Sequence, residues 1–382
     1  MTRPARVLTM IDSLLAGGAE RVAVEIACGL DRHRFTPHVL VTRHGGPLAS
    51  TLRAAGVEVT VLGRTGRASP AALARSWKLA RETDLIHAHK FPSSAWAALL
   101  ARAARVPLVT HDHNWSSGHS RGRAIINRTW IAPSAHRMLC VSGSVARALA
   151  DEGVPPRKIE VAENGVYLET HVPRAEARRR LGLNGSELVV GSVAALRPEK
   201  AHELLLEAVA LLRADGRPVR LCLVGSGPRE AELRSLASGL GIEAGVVWAG
   251  QRPDAPRLAT AFDVAVISSR WEGLPLAALE ALAAEVPLVA TAVGGLPELL
   301  SGAAGFLVDS PDPGLLARSI AAALDDPGEA RARARSGRQR VEERHGLDQA
   351  IRRVEAAYHG ALRENVGAHP AEPGASPNGG SG

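Results

Sequence analysis

Three cysteines, 3% aromatic side chains and no apolar run long enough to cross a bilayer are what this 382-residue chain has in short supply. Cys28, Cys140 and Cys222 are odd in number, far apart and set among apolar neighbours. That excludes a disulfide framework and predicts buried, reduced thiols. The longest charge-free stretches, such as 286–297, stop at about a dozen residues, against the ~20 a spanning helix needs. At the N-terminus the apolar run 7–16 is interrupted by Asp12 and followed at once by Glu20 and Arg21, which argues against a signal peptide. Together these absences predict a cytoplasmic chain.

What remains is a folding composition with an uneven charge. Apolar residues make up 46% and charged residues 22%, the profile of a globular protein. The length points to two or three domains at roughly 150 residues each. Up to residue 170 there are 22 Lys+Arg against 13 Asp+Glu, and after it 24 against 26, so the net +7 belongs to the first half. An acidic partner, whether nucleic acid, a phosphorylated lipid or an anionic membrane, is expected to meet that half first. Arg64, Arg67, Arg75, Lys78 and Arg81, and then Arg121, Arg123 and Arg128, are the candidate patches; a plain solvated face is the simpler alternative.

Both halves repeat one rhythm: a Val/Leu/Ile run, a turn rich in Gly, Pro or Ser, then an Ala/Leu/Arg/Glu stretch at helical spacing. That alternation predicts parallel sheets covered by helices. Strands are expected near 7–11, 38–42, 57–62, 85–87, 108–110 and 138–141. After a polar, Arg-rich segment at 173–185 they resume near 188–194, 220–224, 246–249, 264–267, 288–290 and 305–308. The expected division is an N-terminal Rossmann-like domain 1–170, a C-terminal one 171–345, a last helix 346–364 packing back on the first domain, and a disordered tail 365–382. Two doubly wound α/β domains facing each other place the C-terminal ends of both sheets around one cleft, where ligands bind.

The densest chemistry lies in 268–298. Glu272 precedes a helix opened by Pro275, and Glu280 follows eight residues after Glu272, two turns inside. Free N–H groups at a helix mouth suit anionic oxygens, and the carboxylates suit sugar hydroxyls. The alternative is a capping Glu272 and a Glu280 paired with some arginine. Arg197 and Lys200 follow a strand, with Lys200 at the start of a helix, a placement a solvated face explains equally well. Gly17-Gly18 marks a strand-to-helix turn where backbone can approach a ligand, or a simple tight turn. His87, His89, His111 and His113 alternate on two strands in a spacing that can chelate zinc or iron, but no later His-rich motif completes a hydrolase set. Gly225-Ser226-Gly227-Pro228-Arg229-Glu230 fails the dinucleotide fingerprint, because Glu230 stands where a third glycine is required.

Taken in order, Gly17-Gly18-Ala19-Glu20-Arg21, His87-Ala88-His89, Pro107 to His113, Val141-Ser142, Asn164-Gly165-Val166, Arg197-Pro198-Glu199-Lys200, Gly225-Ser226-Gly227-Pro228, Glu272-Gly273-Leu274-Pro275 with Glu280, and Thr291-Ala292-Val293-Gly294-Gly295 cover most of the chain. They resemble the motifs of the retaining family 4 glycosyltransferases of GT-B fold, which include sucrose synthases and many bacterial exopolysaccharide and glycolipid glycosyltransferases. The resemblance implies transfer of a sugar from a UDP- or GDP-sugar to a hydroxyl of a lipid-linked or glycan acceptor, with retention of configuration and without a metal or other cofactor.

It also implies roles. Arg197 and Lys200 would grip the donor diphosphate, Glu280 the ribose, and Glu272 with the segment Gly273, Leu274, Pro275 and Leu276 the sugar and phosphate. Gly225 would line the donor pocket, with Gln251 and Arg252 near the base. The first domain would bring Gly17, Gly18 and His113 to the transferred sugar, with His89 toward the acceptor. One departure stands out: the family more often carries Gly after this Lys, where this chain has Ala201-His202. Under this reading nucleic acid drops out as a partner. The basic first half would instead dock on anionic lipid at the inner face of the plasma membrane, where a lipid-linked acceptor is found. A GT-B epimerase and a non-catalytic sugar-nucleotide-binding protein are the alternatives.

Overall fold

Seven strands, β1 (Ala5–Ser13), β2 (Phe35–His44), β3 (Glu58–Val61), β4 (Leu85–His89), β5 (Leu108–Asp112), β6 (Ala135–Cys140) and β7 (Ile159–Val161), pair in parallel in the order β3-β2-β1-β4-β5-β6-β7. Six more, β8 (Leu188–Val193), β9 (Val219–Val224), β10 (Val246–Gly250), β11 (Val264–Ile267), β12 (Leu288–Thr291) and β13 (Phe306–Val308), form a second parallel sheet in the order β10-β9-β8-β11-β12-β13. The computed structural model describes residues 3–66, 69–113, 121–169, 171–183 and 187–367. Arg67 of the expected basic patch and the tail beyond Gly367 lie outside the described residues.

Helices cover both faces of each sheet, so the central strands are buried throughout: every residue of β4 and β5 is buried. In each sheet the chain leaves the first strand on one side and returns on the other, between β1 and β4 and between β8 and β11. Such a reversal opens a crevice beyond the strand ends. The segments bordering these crevices are 14–17 with Lys90 in the first domain, and 194–201 with 268–275 in the second. The two-domain arrangement thus carries the motif loops to the places where an α/β sheet binds its ligand.

The strands expected from sequence are present, with ends shifted by a few residues, and β7 is an addition. It has three residues of mixed exposure, which leaves no alternation to read. The Arg-rich segment at 173–185, expected as a polar break, instead holds the helix Arg174–Arg180, docked on the second domain. Arg178 is buried; it donates to the Ala261 carbonyl at 3.1 Å and to Asp263 at 2.8 Å, while Arg174 meets the other Asp263 oxygen at 2.7 Å. Lys200 does not open a helix either. It ends the 3-10 turn Pro198–Lys200, and the α-helix begins at His202.

The last helix, Leu347–Gly367, runs along the first domain. Ile351, Val354, Ala357 and Tyr358 are buried there, and Tyr358 packs edge-on against Phe35 at 5.4 Å. Glu355 accepts the Asp31 N–H at 2.8 Å. Each large apolar side chain so buried contributes ~1.5–3 kcal/mol. The chain therefore crosses between the domains twice, and the two crossings are bonded to each other: Val166 N–H donates to His345 O at 2.9 Å and Leu347 N–H to Val166 O at 3.0 Å. No helix among the described residues is long and apolar enough to cross a membrane.

Candidate active site

The second-domain crevice is built around Glu272. Its side chain is buried and accepts from Lys200 Nζ at 2.6 Å and from Ser269 Oγ at 2.6 Å. A carboxylate removed from water needs such partners. Lys200 reaches it because Ala201 turns the chain through a left-handed residue, φ 47°, and Ser268 Oγ ties the Lys200 carbonyl to the neighbouring loop at 3.0 Å. Arg197 lies on the same loop with its side chain exposed.

Two glycines of the following motif hold this loop closed. Gly294 has φ 58°, and a Cβ there would collide with the Glu272 carbonyl, so the position needs glycine on both counts. The Gly295 N–H donates to Gly273 O at 2.6 Å, and Thr291 Oγ1 donates to Ser269 O at 2.6 Å. Pro275 caps the helix Leu276–Ala283, whose first-turn N–H groups open toward the crevice. Leu274 and Leu276 are buried, and the Leu274 carbonyl accepts from Asn164 at 2.8 Å.

The remaining donor-side residues are less concentrated. Gly225 packs its backbone on the β8 loop, where a Cβ would collide with Ala194 O, so the Gly-Ser-Gly turn serves close loop packing. Gln251 accepts from Ser226 Oγ at 3.2 Å. The Arg252 guanidinium is engaged by Asp254 at 2.9 and 3.0 Å and by the Arg180 carbonyl.

The first domain meets this crevice directly. A Cβ on Gly273 would collide with the His113 carbonyl, so the two backbones touch across the cleft. Arg21, on the helix Gly18–Gly29, donates to Glu280 at 2.6 Å and to Glu25 at 3.1 Å. Burial opposes its charge, but Glu280 and Glu25 outweigh that and its pKa is raised. Gly17 caps the same helix, and its neighbour Gly18 has open space where a side chain would stand. Glu20 is buried and takes Ser13 Oγ at 2.8 Å and Lys90 Nζ at 2.8 Å; Lys90 also reaches Asp12 at 3.1 Å. Burial works against the Lys90 charge too, and Glu20 and Asp12 raise its pKa above the ordinary value.

The other three histidines of the two strand motifs gather behind His113. His89 Nδ1 is 2.9 Å from His113 Nε2, and Tyr358 Oη is 2.7 Å from His87 Nδ1. Ring nitrogens of His87, His89 and His111 lie within 4.8 Å of one another, the group among the described residues that could hold a metal ion. Burial drives all four pKa values down, to about 4 for His111, so the rings are neutral at pH 7. Next to them Asp112 is buried beside Arg123 at 3.3 Å, and burial pushes its pKa up to about 6.

Residues 16–170 match the family model "Glycosyltransferase Family 4", and residues 173–340 the model "Glycosyl transferases group 1". The D-inositol 3-phosphate glycosyltransferase 1 of Catenulispora acidiphila is 32% identical over 310 residues, 74% of each chain. The chain belongs to the family 4 glycosyltransferases. The enzyme is also similar to the Salinispora tropica D-inositol 3-phosphate glycosyltransferase, at 32% identity over 76% of this chain and 67% of that one. Among solved structures, Anabaena HepE in complex with UDP and glucose superposes with a TM-score of 0.85 at 24% identity, over 93% of this chain and 99% of that one. The sucrose-phosphate synthase of Thermosynechococcus elongatus gives 0.79 at 20% identity, over 96% and 100%.

Several residues of the enzyme's cleft carry no distinctive sequence signal of their own. Arg21 stands inside the Gly17–Arg21 motif, yet its partner is 259 positions away. Ser269 and Lys90 follow strands, the one place where position alone marks them. Tyr358 reads only as a core residue on the last helix, because its contact with His87 spans 271 positions.

Proposed function

We propose that the enzyme transfers a hexose from a UDP- or GDP-sugar to a hydroxyl acceptor with retention of configuration. The observation that carries the donor assignment is the Lys200–Glu272 pair, set in the switch-point crevice beside the exposed Arg197 and the mouth of the helix Leu276–Ala283. HepE, solved with UDP and glucose, has the same fold over nearly its whole length, which supports this reading.

Cleaving the sugar–phosphate bond builds negative charge on the leaving diphosphate. Arg197, Lys200 and the first-turn N–H groups of the helix stabilise that charge where it develops. Glu272, held by Ser269, orients the sugar hydroxyls, and Glu280 exchanges Arg21 for the ribose. His113 approaches from the first domain beside the anomeric carbon. The leaving phosphate takes the acceptor proton, so no separate base is required. Contact between Gly273 and the His113 backbone excludes water from the reacting atoms.

The acceptor is lipid-linked, and the first domain docks on anionic lipid. Ile125 and Ile126 are 52% and 39% exposed between exposed Arg121 and Arg128, an apolar and cationic pairing suited to a headgroup surface. The Catenulispora and Salinispora relatives carry D-inositol 3-phosphate, a phosphorylated polyol, in their names, and this compound is the competing arm of the test.

The test is a thermal-shift screen of UDP, GDP, ADP and their sugars, followed by turnover on a lipid-linked glycan and on D-inositol 3-phosphate. A nucleotide at 100 times its Kd should stabilise the fold by about 2.7 kcal/mol. No shift with any nucleotide overturns the donor assignment, turnover on inositol phosphate alone overturns the acceptor, and sugar interconversion without acceptor points to an epimerase.

A further inference from the structure

A cluster of four imidazoles and a phenol links the C-terminal helix to the cleft, with His89 and His111 side by side between His87 and His113. Tyr358 holds His87. The His87 ring faces His89 at 4.2 Å and His111 at 5.5 Å, His111 faces His113 at 4.5 Å, and His89 Nδ1 closes on His113 Nε2 at 2.9 Å. β4 and β5 are adjacent with His89 opposite His111, so alternate positions bring the rings to one face. His87 and His89 are 0% exposed, on strands where Val or Leu would be buried without a polar cost. The proposed chemistry uses His113 alone and leaves the other three unexplained.

A neutral imidazole has one donor and one acceptor nitrogen. The His89–His113 contact therefore couples the two tautomers: the proton state of His89 Nδ1 decides whether His113 Nε2 donates or accepts, and so what His113 Nδ1 can offer. That His113 Nδ1 is buried and has no partner among the described residues. A buried polar atom left open beside a cleft is available to a ligand.

We infer that His89 is a positioning residue whose Nδ1 orients the His113 ring and selects the tautomer that His113 Nδ1 presents to the transferred sugar, with His87 and Tyr358 bracing the stack from the last helix. The inference rests on the transferase reading of His113. A three-histidine metal centre is the competing use of these rings. Its ligand atoms would be His87 Nε2, His89 Nε2 and a His111 nitrogen, which are buried without a partner among the described residues, so the test includes a metal arm.

The test is imidazole ¹⁵N NMR and steady-state kinetics on the full chain, comparing wild type with His89→Leu, His89→Asn and Tyr358→Phe. The Asn amide stands where Nδ1 stood and keeps the bond. His89→Leu should change the tautomer signature of His113 and lower kcat by ~100-fold, the scale of a misplaced reacting group, with donor KM within about threefold. His89→Asn should restore the signature and most of kcat, and Tyr358→Phe should move the His87 resonances. A His113 signature unchanged in His89→Leu overturns the inference, as does failure of a folded His89→Asn to restore it. Stoichiometric zinc in the purified protein, with kcat lost to a chelator, overturns it in favour of a metal centre. If wild type transfers no sugar, the transferase reading fails, while the His89–His113 coupling is still read by NMR.

Discussion

Arg21 Nη1 lies 2.6 Å from Glu280 Oε1, so a first-domain guanidinium holds the carboxylate one turn inside the second domain's crevice helix, nearer its mouth than the two turns expected from sequence. The pair is a bond between domains as much as a feature of the site. Only 7% of the Glu280 side chain and 25% of the Arg21 side chain are exposed.

Arg21→Met should therefore cost about 2–3 kcal/mol in urea unfolding, below the 3–5 of a fully buried pair because Arg21 keeps some water. Glu280→Gln should cost less, since it removes the buried charge while its amide oxygen still accepts from Arg21. In solution scattering without nucleotide, both variants should show a larger radius of gyration than wild type. An unchanged radius would show that the pair does not hold the domains together.

Glu272 and Lys200 separate chemistry from stability. Glu272→Gln keeps the Ser269 bond and should lower turnover ~100-fold, the scale of one lost transition-state contact, with little change in melting temperature. Lys200→Ala should lower turnover as much and also destabilise the fold, because it strands the buried Glu272 carboxylate. Near wild-type turnover in both variants would sink the donor assignment.

Acid should unfold the enzyme through its buried histidines. Burial drives the pKa of His87, His89 and His113 well below the ordinary 6.5, and that of His111 and His202 to about 4. Below pH ~6.5 the unfolded chain binds protons that the folded chain refuses, so stability falls as pH drops from there toward 4, by up to ~1.4 kcal/mol per pH unit for each ring. Asp112 acts the other way. Its folded pKa of about 6 exceeds the ordinary 3.8, so its contribution improves on acidification through that window. Burial raises the Glu25 pKa in the same sense, but five rings outweigh two carboxyls, and the urea midpoint should drop steeply from pH 6.5 to 4.5. His111→Gln should flatten that slope by about one proton; a slope unchanged by the substitution would mean His111 is protonated in the fold.

At the surface, Ile125→Glu combined with Ile126→Glu should weaken binding to phosphatidylserine vesicles at least ~10-fold and leave the nucleotide thermal shift unchanged. Wild-type binding that persists at 1 M salt would show that the arginines contribute nothing to it.

The alternation of apolar runs and helical stretches was enough to read both sheets, because a parallel sheet buried on both faces writes itself as Val/Leu/Ile runs. The motif loops were legible for the same reason: they follow strands, and Glu272 and Gly294 lie where the sequence marked them, whereas Lys200 ends a 3-10 turn instead of opening the helix. What stayed hidden depends on contacts between distant segments. Arg178 reads in sequence only as part of the polar, Arg-rich break, and its burial rests on partners far along the chain, Asp263 and the Ala261 carbonyl among them. The departure from the family at Ala201 also acquires a meaning. That residue adopts φ 47°, where glycine fits without strain, so this chain accepts a cost of order 1 kcal/mol there.

The return of the last helix to the first domain has a consequence for synthesis. Ile351, Val354 and Tyr358 complete a core that begins at Val7, yet they leave the ribosome after the whole second domain. At ~5–20 residues per second, the nascent first domain waits roughly ten to forty seconds with its flank uncovered. Assembly of this enzyme is thus finished from its C-terminal end, and the newborn chain depends through that interval on whatever shields the surface that Tyr358 will later fill.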